Sequence, residues 1–548
     1  MAFVHLVAFW IAYKQNKALI GDNGITPARE VLDAAEQRGR QKTQRRLEWR
    51  EQNYTEPSIP LLSVRRRKEK LLRWIGYFVD RNPRLLRVRE VLWDRSDSLD
   101  RPLTTMLWLV KDRERLNPWL DRIALTGLFA SGLSMLLGAA NVPLVLVLWL
   151  CQRSLMAVGG PWYSFGWEPQ LAELSFHSLF LVPFLSLNPL PKRDVPAAVQ
   201  WTIRWMLFRI MMGAGLIKLR SKDKKWNDLS AMDYFYETQP VPNPLSRYFH
   251  WMPRWWHKGE VLANHFVELI APWFLILPSI PRPWCICGGL TQIVFQLILI
   301  MAGNLSFLNW LTMVPAIMTL DDAFLSRTFP PAYRQLALER ATAQDLSLHT
   351  QTISLVFLIL ILRLSAPVVR NLLSKHQKMN SSFDPLRLVN TYGNFGQVTE
   401  NRYELIVSSS SSHNGEWREY DFKVKVGNIY RSPRFISPYH YRLDWVMWIA
   451  TTKTRSLDQC LWLYRLLSKL LQQDREVLGL LEKDPWKDTS AKPKYIKVDM
   501  YSYRFHRKQP GEQNPPYWDR KFITRIYPKG RLASLKYLEQ RIEFLSRR

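Results

Sequence analysis

The stretch Arg204–Leu245, RWMLFRIMMGAGLIKLRSKDKKWNDLSAMDYFYETQPVPNPL, joins an apolar helix to an aromatic loop that is punctuated by proline. The helical part is long enough to enter a bilayer, yet it carries Arg204, Arg209 and Lys218. A cation inside a membrane segment is energetically costly, so it is kept where it has a partner or a task. The stretch therefore predicts a membrane helix with a polar function, followed by a loop outside the hydrocarbon region.

The composition also fits a membrane protein. Hydrophobic residues make up 47% of the 548 residues, and the mean hydropathy is only −0.19 because very basic loops dilute very apolar segments. A net charge of +29 could indicate nucleic acid binding, but the basic residues are spread over loops and form no nucleic-acid-binding motif. Anionic lipid headgroups explain the charge more simply, so we expect a lipid bilayer and no nucleic acid as partner.

Apolar segments of the length that a bilayer requires recur along the chain. Met1–Tyr13 is apolar but too short, so we interpret residues 1–13 as part of a first transmembrane helix whose beginning is missing. Six further apolar segments lie at about residues 123–151, 171–188, 197–219, 261–280, 284–303 and 350–370. The first of these six is interrupted by Asn141 and Pro143, so it could be one kinked helix or a hairpin.

Seven crossings would place the two ends of the chain on opposite sides of the membrane. The segment at residues 304–319 is apolar but contains Asn304, Asn309 and Pro315, so it could be re-entrant or interfacial. If this segment also crosses the bilayer, the number of crossings is even and both ends of the chain lie on the same side.

We divide the chain into the partial helix, a basic polar loop at 14–118, a multi-helix membrane domain at 119–370 and a soluble domain at 371–548. The loop contains charge runs typical of a solvated insertion, from about Arg38 to Lys70. After about Ser374, the stretches LRLVNTYG, RYELIVSS, WREYDFKVKV and KYIKVDMYSYRF alternate apolar and polar residues, which predicts strands. CLWLYRLLSKLLQQDREVLGLLE has a helical period. The predicted fold class is an α-helical polytopic membrane protein with a C-terminal soluble, strand-rich α+β domain.

Two glycosylation sequons bear on sidedness. Asn53 begins Asn-Tyr-Thr in the basic loop, and Asn380 begins Asn-Ser-Ser close to the predicted membrane exit. Either site can carry a glycan only if its segment lies in the lumen.

Lys218 is the sharpest candidate for a functional residue. Arg204 and Lys218 recur with Gly215 at helical spacing, so both charges are predicted on one face. Candidate partners in neighbouring segments also share faces, Glu173 with His177 and His265 with Glu268. These residues could form a buried polar network around a cavity, or Lys218 could act as a base. Alternatively, Lys218 lies at the end of its segment and extends to the headgroups.

The sequence gives little sign of enzymatic chemistry. Neither His/Glu pair has the spacing of a known metal motif, so we expect no metal and no cofactor. Nucleophile elbows, phosphate-binding loops and dinucleotide fingerprints do not occur in the sequence, so we assign no catalytic residue.

The stretch Pro433–Thr451 is dense in aromatic residues and could hold an apolar patch of a client protein. It could equally pack against its own domain or lie on the membrane. The candidate client-contact residues are Tyr439, His440, Tyr441, Arg442, Asp444, Trp445 and Trp448.

Several long stretches together resemble the lipase maturation factor family. They are IGDNGITPAR, PWYSFGWEPQLAE, FRIMMGAGLIKLR, MDYFYETQPVPNPLS, ANHFVELIAPWF, MAGNLSFLNWLTMVPA, VNTYGNFGQVT and ISPYHYRLDWVMW. The amino-acid sequences of these stretches are more similar to the first than to the second of the two vertebrate types. One helix more distantly resembles vitamin K-dependent gamma-carboxylase through Ala214, Gly215, Lys218 and Leu219. By that resemblance Lys218 would be a catalytic base.

The family resemblance implies a multi-pass protein of the endoplasmic reticulum membrane with a luminal C-terminal domain. It implies secreted lipases of the lipoprotein, hepatic and endothelial types as clients, and a role in their assembly into active dimers. It also implies about five crossings with residues 220–260 in the lumen, whereas seven crossings place that loop in the cytosol. The alternatives are an intramembrane enzyme that uses Lys218 and a scaffold that retains luminal chaperones.

Overall fold

The computed structural model of the chain describes residues 1–53, 104–189, 195–277, 280–328, 330–331, 334–335, 347–452, 460–528 and 533–547. Within these residues the chain is helical up to Leu373, and an antiparallel sheet follows residue 401. This arrangement confirms the predicted fold class.

The helices of the first part are α1 (Ala2–Ile20), α2 (Ala28–Asn53), α3 (Asn117–Leu137), α4 (Val142–Val158), α5 (Trp167–Ser178), α6 (Ala197–Arg220), α7 (Met232–Thr238), α8 (Ser246–His250), α9 (Arg254–His265), α10 (Trp273–Ile276), α11 (Arg282–Ala302), α12 (Leu308–Ile317), α13 (Asp322–Leu325) and α14 (Leu348–Leu373). Short 3₁₀ turns occupy Met106–Leu109, Gly160–Tyr163 and Lys224–Trp226. A π-helical turn at Phe266–Ile270 lies between α9 and α10.

Of the described helices, three are long and apolar enough to cross a membrane, namely α3, α11 and α14. The apolar helices α4 and α12 are shorter. The predicted segment at 123–151 is a hairpin and not one kinked helix. Its helix α3 ends at Gly138, where φ is 59°, and the Asn141 side chain caps α4 by accepting from the Leu144 N–H at 3.1 Å.

The count of seven crossings is not supported by helix length and composition. Helix α5 has 12 residues, about 18 Å, which is short of a hydrocarbon core of about 30 Å. The predicted segment at 261–280 is divided among α9, the π-helical turn and α10. Residues 304–319 supply only the ten-residue helix α12. Helix α6 has 24 residues, which is long enough, but it carries four cations. The predicted partial helix at 1–13 is longer than expected and continues to Ile20.

Part of the predicted polar loop at 14–118 is helical, because it contains the end of α1 and the whole of α2. Arg113 pairs with Glu36 at 2.5 Å, and Arg465 of the C-terminal domain pairs with Glu30 at 2.8 Å. These ion pairs hold the first half of α2 against the rest of the molecule. About half of the predicted insertion, residues 54–70, lies outside the described residues.

The C-terminal part contains β1 (Arg402–Ser410), β2 (Arg418–Glu419), β3 (Asp421–Phe422), α15 (Arg442–Thr452), α16 (Leu461–Leu471), α17 (Arg475–Leu478), β4 (Leu481–Lys483), β5 (Tyr495–Phe505), β6 (Trp518–Tyr527), β7 (Ala533–Ser534) and α18 (Leu535–Ser546). The main sheet has the order β2-β1-β5-β6, all antiparallel, and β7 pairs with β5. Strands β3 and β4 form a separate pair.

The predicted strands RYELIVSS and KYIKVDMYSYRF correspond to β1 and β5, which pair from Arg402–Tyr503 to Ser410–Tyr495. WREYDFKVKV supplies only the two-residue strands β2 and β3. LRLVNTYG forms no strand apart from an isolated bridge between Ser382 and Asn390, so that prediction is wrong. Strand β6 was not predicted.

The loop between α6 and α9 packs directly on the C-terminal domain. Arg247 Nη2 donates to the His506 carbonyl at 2.6 Å, and Trp448 Nε1 donates to the Thr238 carbonyl at 3.2 Å. Segments in contact lie on the same side of a membrane. This packing agrees with the arrangement that the family resemblance implies, with residues 220–260 on the same side as the C-terminal domain, and disagrees with the arrangement that seven crossings imply.

Candidate functional site: buried ion pairs beneath the C-terminal domain

A completely buried ion pair joins α5 to α6 and also binds the segment that leads into the C-terminal domain. Arg209 Nη2 donates to Glu173 Oε1, and both side chains have an exposed fraction of 0%. Arg209 Nη1 donates to the Asn390 carbonyl at 2.7 Å. Glu173 Oε2 accepts from Asn390 Nδ2 and from the Tyr392 hydroxyl, each at 2.7 Å. One carboxylate and one guanidinium thus bind three parts of the chain together.

Gly213 on α6 lets the segment at 377–392, which leads into the C-terminal domain, approach the helix closely. A side chain at Gly213 would collide with the Tyr392 carbonyl, and the Gly213 carbonyl itself accepts from Gln377 Nε2 at 3.0 Å. The Asp384 carboxylate accepts from the Leu388 N–H at 2.9 Å and shapes the turn before Asn390. Gly213 therefore allows close approach of the backbone at 377–392.

Arg204 and His177 lie apart from Lys218. Arg204 Nε donates to the Met318 carbonyl at 3.1 Å. His177 is fully buried, and its ring packs edge-on against Phe357 with centroids 5.2 Å apart. Arg204 and Lys218 are 14 residues apart, about 21 Å along the helix, so they do not share one network.

Lys218 forms the second buried ion pair. Its Nζ lies 2.5 Å from Glu268 Oε1, 3.3 Å from Asn264 Oδ1 and 4.7 Å from the centre of the Trp226 ring. A carboxylate, an amide oxygen and an aromatic face are partners of an ammonium cation. The side chain of Lys218 is 5% exposed, so it does not extend to the surface. His265 contacts the backbone of Trp226, with its Nε2 3.0 Å from the Trp226 carbonyl.

The position of Glu268 depends on the π-helical turn. Five residues, Phe266–Ile270, widen the helix after α9, and such insertions alter which side chains face a neighbouring helix. Glu268 thereby faces α6, where Gly215 lies directly against its Cβ. Asn264 Nδ2 donates to the second carboxylate oxygen at 3.0 Å and fixes its orientation.

Glu168 and Arg442 form a third pair, which joins the start of α5 to α15. Their atoms Oε1 and Nη1 are 2.7 Å apart, and both side chains are 0% exposed. The same Nη1 donates to the Trp162 carbonyl at 2.5 Å. Gln15 of α1 accepts from the Arg442 N–H at 3.0 Å and donates to the His440 carbonyl at 2.8 Å. The N-terminal helix is thus bonded to the C-terminal domain.

The aromatic stretch proposed for client contact lies largely inside the molecule. Four of its seven candidate side chains, those of His440, Arg442, Asp444 and Trp445, are at most 6% exposed. The rings of His440 and Trp445 pack edge-on against Trp167 at 5.1 Å each. The other candidates, Tyr439, Tyr441 and Trp448, are half-buried. In this structure the seven candidates lie where the two halves of the chain join, while Phe435 near the start of the stretch is 55% exposed, and client contact stays a prediction.

Asp444 connects α15 to the segment after β3. Its Oδ1 accepts from the backbone N–H groups of Val424 and Lys425 at 2.7 and 2.8 Å. Burial raises the pKa of the Asp444 carboxyl to about 6, although these two hydrogen bonds act in the opposite direction.

Arg402 at the start of β1 supplies a contact that the sequence analysis did not identify. Its guanidinium donates to the carbonyls of Glu237, Gln239 and Pro240 at 3.0, 2.6 and 3.2 Å. It also pairs with Glu404 at 2.5 Å. The only sequence signal is an arginine on the buried side of a strand, which is too common to point to this role.

The two glycosylation candidates differ in what the structure describes. Asn380 is exposed, its φ is 50°, and its Nδ2 donates to the Gly393 carbonyl at 3.2 Å. Asn53 is the last residue of α2. The rest of its sequon, Tyr54 and Thr55, lies outside the described residues.

Within the described ranges, no group of three or more His, Cys, Asp or Glu residues is arranged to hold a metal ion. Glu173 and Glu268 are each paired with a cation, as described above. The cysteines are free, and Cys151 is buried.

Most stretches that carry the family resemblance meet at this site. They provide Glu168 and Glu173, Arg209 and Lys218, the carbonyls at 237–240, Glu268, Asn390 and Arg442. The arrangement can therefore fix the C-terminal domain on the helices in one orientation, which is costly to break because each separated ion would stay buried.

Comparison with known proteins gives matches over nearly the whole chain. A sequence model of the lipase maturation factor transmembrane domain matches residues 1–78 and 83–327, a range that includes the predicted insertion. A model of the lipase maturation factor C-terminal domain matches residues 388–528. No solved structure matches.

Individual relatives agree with these matches. Lipase maturation factor 1 of Mus musculus is 41% identical over 558 residues, with 98% of this chain and 86% of the relative covered. Lipase maturation factor 1 of Bos taurus is 40% identical over 550 residues, with 96% and 87% covered. Lipase maturation factor 2 of Xenopus tropicalis is 27% identical over 514 residues, with 75% and 72% covered.

Proposed function

Because this chain belongs to the lipase maturation factor family, we propose that it assists the folding and assembly of secreted lipases in the endoplasmic reticulum membrane. The family consists of maturation factors rather than enzymes, and the chain is a multi-pass membrane protein. The higher identity to type 1 than to type 2 relatives confirms the resemblance inferred from the motifs. The proposed clients are lipases of the lipoprotein, hepatic and endothelial types.

The observation that carries this proposal is the likeness to type 1 relatives over 98% of the chain, through both the helices and the C-terminal domain. Two of the buried ion pairs support it, because the Glu173–Arg209 pair binds Asn390 and the Glu168–Arg442 pair binds α15, so both fix the C-terminal domain against the helices. We place that domain in the lumen, together with the 221–260 loop on which it packs. A rigid luminal platform is suited to receive newly translocated clients.

A dimeric lipase needs help for a physical reason. The subunit interface of an obligate dimer is apolar, and it stays exposed until the partner subunit docks. A membrane-anchored factor that covers this surface prevents aggregation and releases the client when the second subunit competes for it. The factor should therefore bind monomeric lipase in preference to dimeric lipase. Luminal chaperones are the further partners that a scaffold role would require.

A second candidate function is an intramembrane enzyme that uses Lys218. The observation in its favour is a buried lysine beside a π-helical turn, an irregularity that often marks functional sites. Against it stands the pairing of Nζ with Glu268, because a neighbouring carboxylate favours the protonated ammonium, which has no lone pair with which to act as a base.

The test is rescue of lipase secretion in cells that lack their own factor. Full-length wild-type chain should restore secreted lipase activity, and co-precipitation should recover more monomeric than dimeric lipase. Equal recovery of both forms would contradict a role before assembly. A Lys218→Met variant brought to wild-type abundance should still rescue; complete loss of rescue at equal abundance would instead support the enzyme.

A further inference from the structure

Strand β6 is exposed at the edge of the main sheet. It pairs with β5 on one side, and no other strand of the described residues pairs with its outer side. Seven consecutive residues, 519–525, are exposed. An edge strand with free backbone N–H and C=O groups is a template for a further strand.

Apolar side chains lie at the centre of this edge. Phe522 is 51% exposed and Ile523 is 43% exposed. The two residues lie at a shift in the β5–β6 register, since Tyr501 pairs with Phe522 and Met500 pairs with Thr524, so a strand added here would meet two adjacent apolar side chains. Phe522 packs edge-on against Tyr501 with ring centroids 5.5 Å apart, yet both apolar side chains remain about half exposed.

Both ends of β6 are held by buried aromatic side chains. Trp518 is 1% exposed and stacks on Phe505 with ring centroids 4.3 Å apart. Tyr527 packs edge-on against Tyr464 at 5.0 Å. A strand fixed at both ends loses little conformational freedom on binding.

The charge of the edge specifies its partner. Arg520, Lys521 and Arg525 stand against a single acidic residue, Asp519. Arg520 and Arg525 are oriented by ion pairs at 2.9 Å within the sheet. Lys521 has no ion-pair partner among the described residues. An acidic segment would complement this edge, whereas another basic strand would be repelled.

The same cations exclude the most obvious competitor, a second copy of this chain. Lysine on an edge opposes pairing between identical edges, and irregular pairing bends an edge so that two rigid copies fit each other poorly, whereas a flexible segment can follow the bend. The β5–β6 ladder has such irregularities at Val498/Asp499 and Met500/Tyr501. A net charge of +29 adds repulsion between copies.

We propose that the outer edge of β6 binds an extended segment of a client in which acidic and apolar side chains alternate, and that this segment is added to the sheet as a further strand. The inference deepens the proposed function and rests on it, because the client is taken to be the protein that this chain helps to fold.

The direct test uses the full-length chain in detergent with two photoreactive peptides, (Val-Glu)4 and (Val-Lys)4. The acidic peptide should label residues near Phe522, as mapped by mass spectrometry, and the basic peptide should not. The variant Lys521→Glu/Phe522→Thr/Ile523→Thr keeps strand-forming residues, and it should reduce labelling by about tenfold. The control Tyr430→Thr/Lys492→Glu changes exposed residues elsewhere in the domain and should label like wild type.

Three outcomes would overturn the inference. They are equal labelling by both peptides, labelling away from β6, and cross-links between two copies through Phe522. A thermal unfolding curve of the triple variant that matches wild type excludes misfolding as the cause of lost labelling. If the triple variant unfolds early, the single variant Lys521→Glu is used, since that side chain is exposed and makes no ion pair in the described structure.

Cell experiments separate this inference from the function on which it rests. A triple variant that loses peptide labelling but fully rescues lipase secretion shows that the edge is not the client site, while the proposed function stands. A wild-type chain that rescues no lipase contradicts the proposed function. The peptide labelling would still decide whether the edge binds acidic strands.

Discussion

Glu173 and Arg209, on neighbouring helices, bind each other and the same residue of the following domain, Asn390. The ion pair is thus completed by backbone and side-chain groups from a segment more than 180 residues further along the chain. The buried charges of the helices and the position of the C-terminal domain are therefore one structural feature.

Removing the charge of Glu173 should destabilise the protein strongly. Glu173→Gln leaves the Arg209 guanidinium buried without its carboxylate, at a cost of about 3–5 kcal/mol. The measurement is thermal unfolding of the full chain in detergent. The control Asp321→Asn breaks an exposed pair with Arg282, for which less than about 1 kcal/mol is expected. A similar loss of stability in both variants would contradict the expectation that the buried pair contributes more than the exposed one.

The pair of Lys218 and Glu268 should behave differently as a double variant. Lys218→Met alone leaves a buried carboxylate and should cost about 3–5 kcal/mol. Lys218→Met/Glu268→Leu removes both charges and should recover much of that loss. Recovery stays incomplete because Asn264 loses the oxygen to which it donates.

Lipase rescue by the same double variant separates structure from chemistry. A structural pair predicts that rescue returns together with stability. If stability returned and rescue did not, Lys218 would have a chemical task.

Gly213→Ala should displace the segment at 377–392 from α6. The new Cβ would meet the Tyr392 carbonyl, a backbone atom that cannot move without disturbing the hydrogen bond from the Tyr392 hydroxyl to Glu173. Limited proteolysis should show faster cleavage between residues 374 and 401. The matched control is Gly259→Ala in α9, where nothing lies within 4 Å and helix propensity predicts a gain of about 0.5–1 kcal/mol. Unchanged proteolysis of the Gly213 variant would contradict the close packing.

Asp444 should make the C-terminal domain less stable as the pH rises from about 4 to about 6. The folded carboxyl has a pKa of about 6, against an ordinary value of 3.8 for an aspartate in the unfolded chain. Between these values the unfolded chain has released the proton and the folded chain retains it, so stability falls with pH and is constant above the interval. The total loss is roughly 3 kcal/mol. The measurement is the difference in unfolding between wild type and Asp444→Asn across pH 4–7, and a difference that does not vary with pH would refute the assignment.

The sequence pointed to the buried charges but not to their pairing. Glu173, Lys218 and Glu268 stood out because charge in an apolar segment is costly. The partner of Glu173 proved to be Arg209, not Arg204, and the two arginines are five residues apart and so face different directions on the helix. Which of them meets α5 depends on helix packing, which a single sequence does not reveal.

The strands show the same limit. LRLVNTYG alternates like a strand, but Asn390 and Tyr392 within it are used to bind Glu173, and tertiary contacts override the local pattern. Strand β6 was missed because its seven exposed residues lack alternation between apolar and polar positions. It is held by β5, whose own pattern was clear.

The contact between Gln15 and Arg442 has a consequence for synthesis, since these residues are 427 positions apart. A ribosome releases the N-terminal helix long before the residues that complete its polar contacts, so Glu168 lacks its guanidinium until translation is nearly finished. A premature stop codon upstream of Arg442 would therefore leave an uncompensated anion among the early helices. The truncated protein would then have a destabilised helical part, in addition to lacking most of its C-terminal domain.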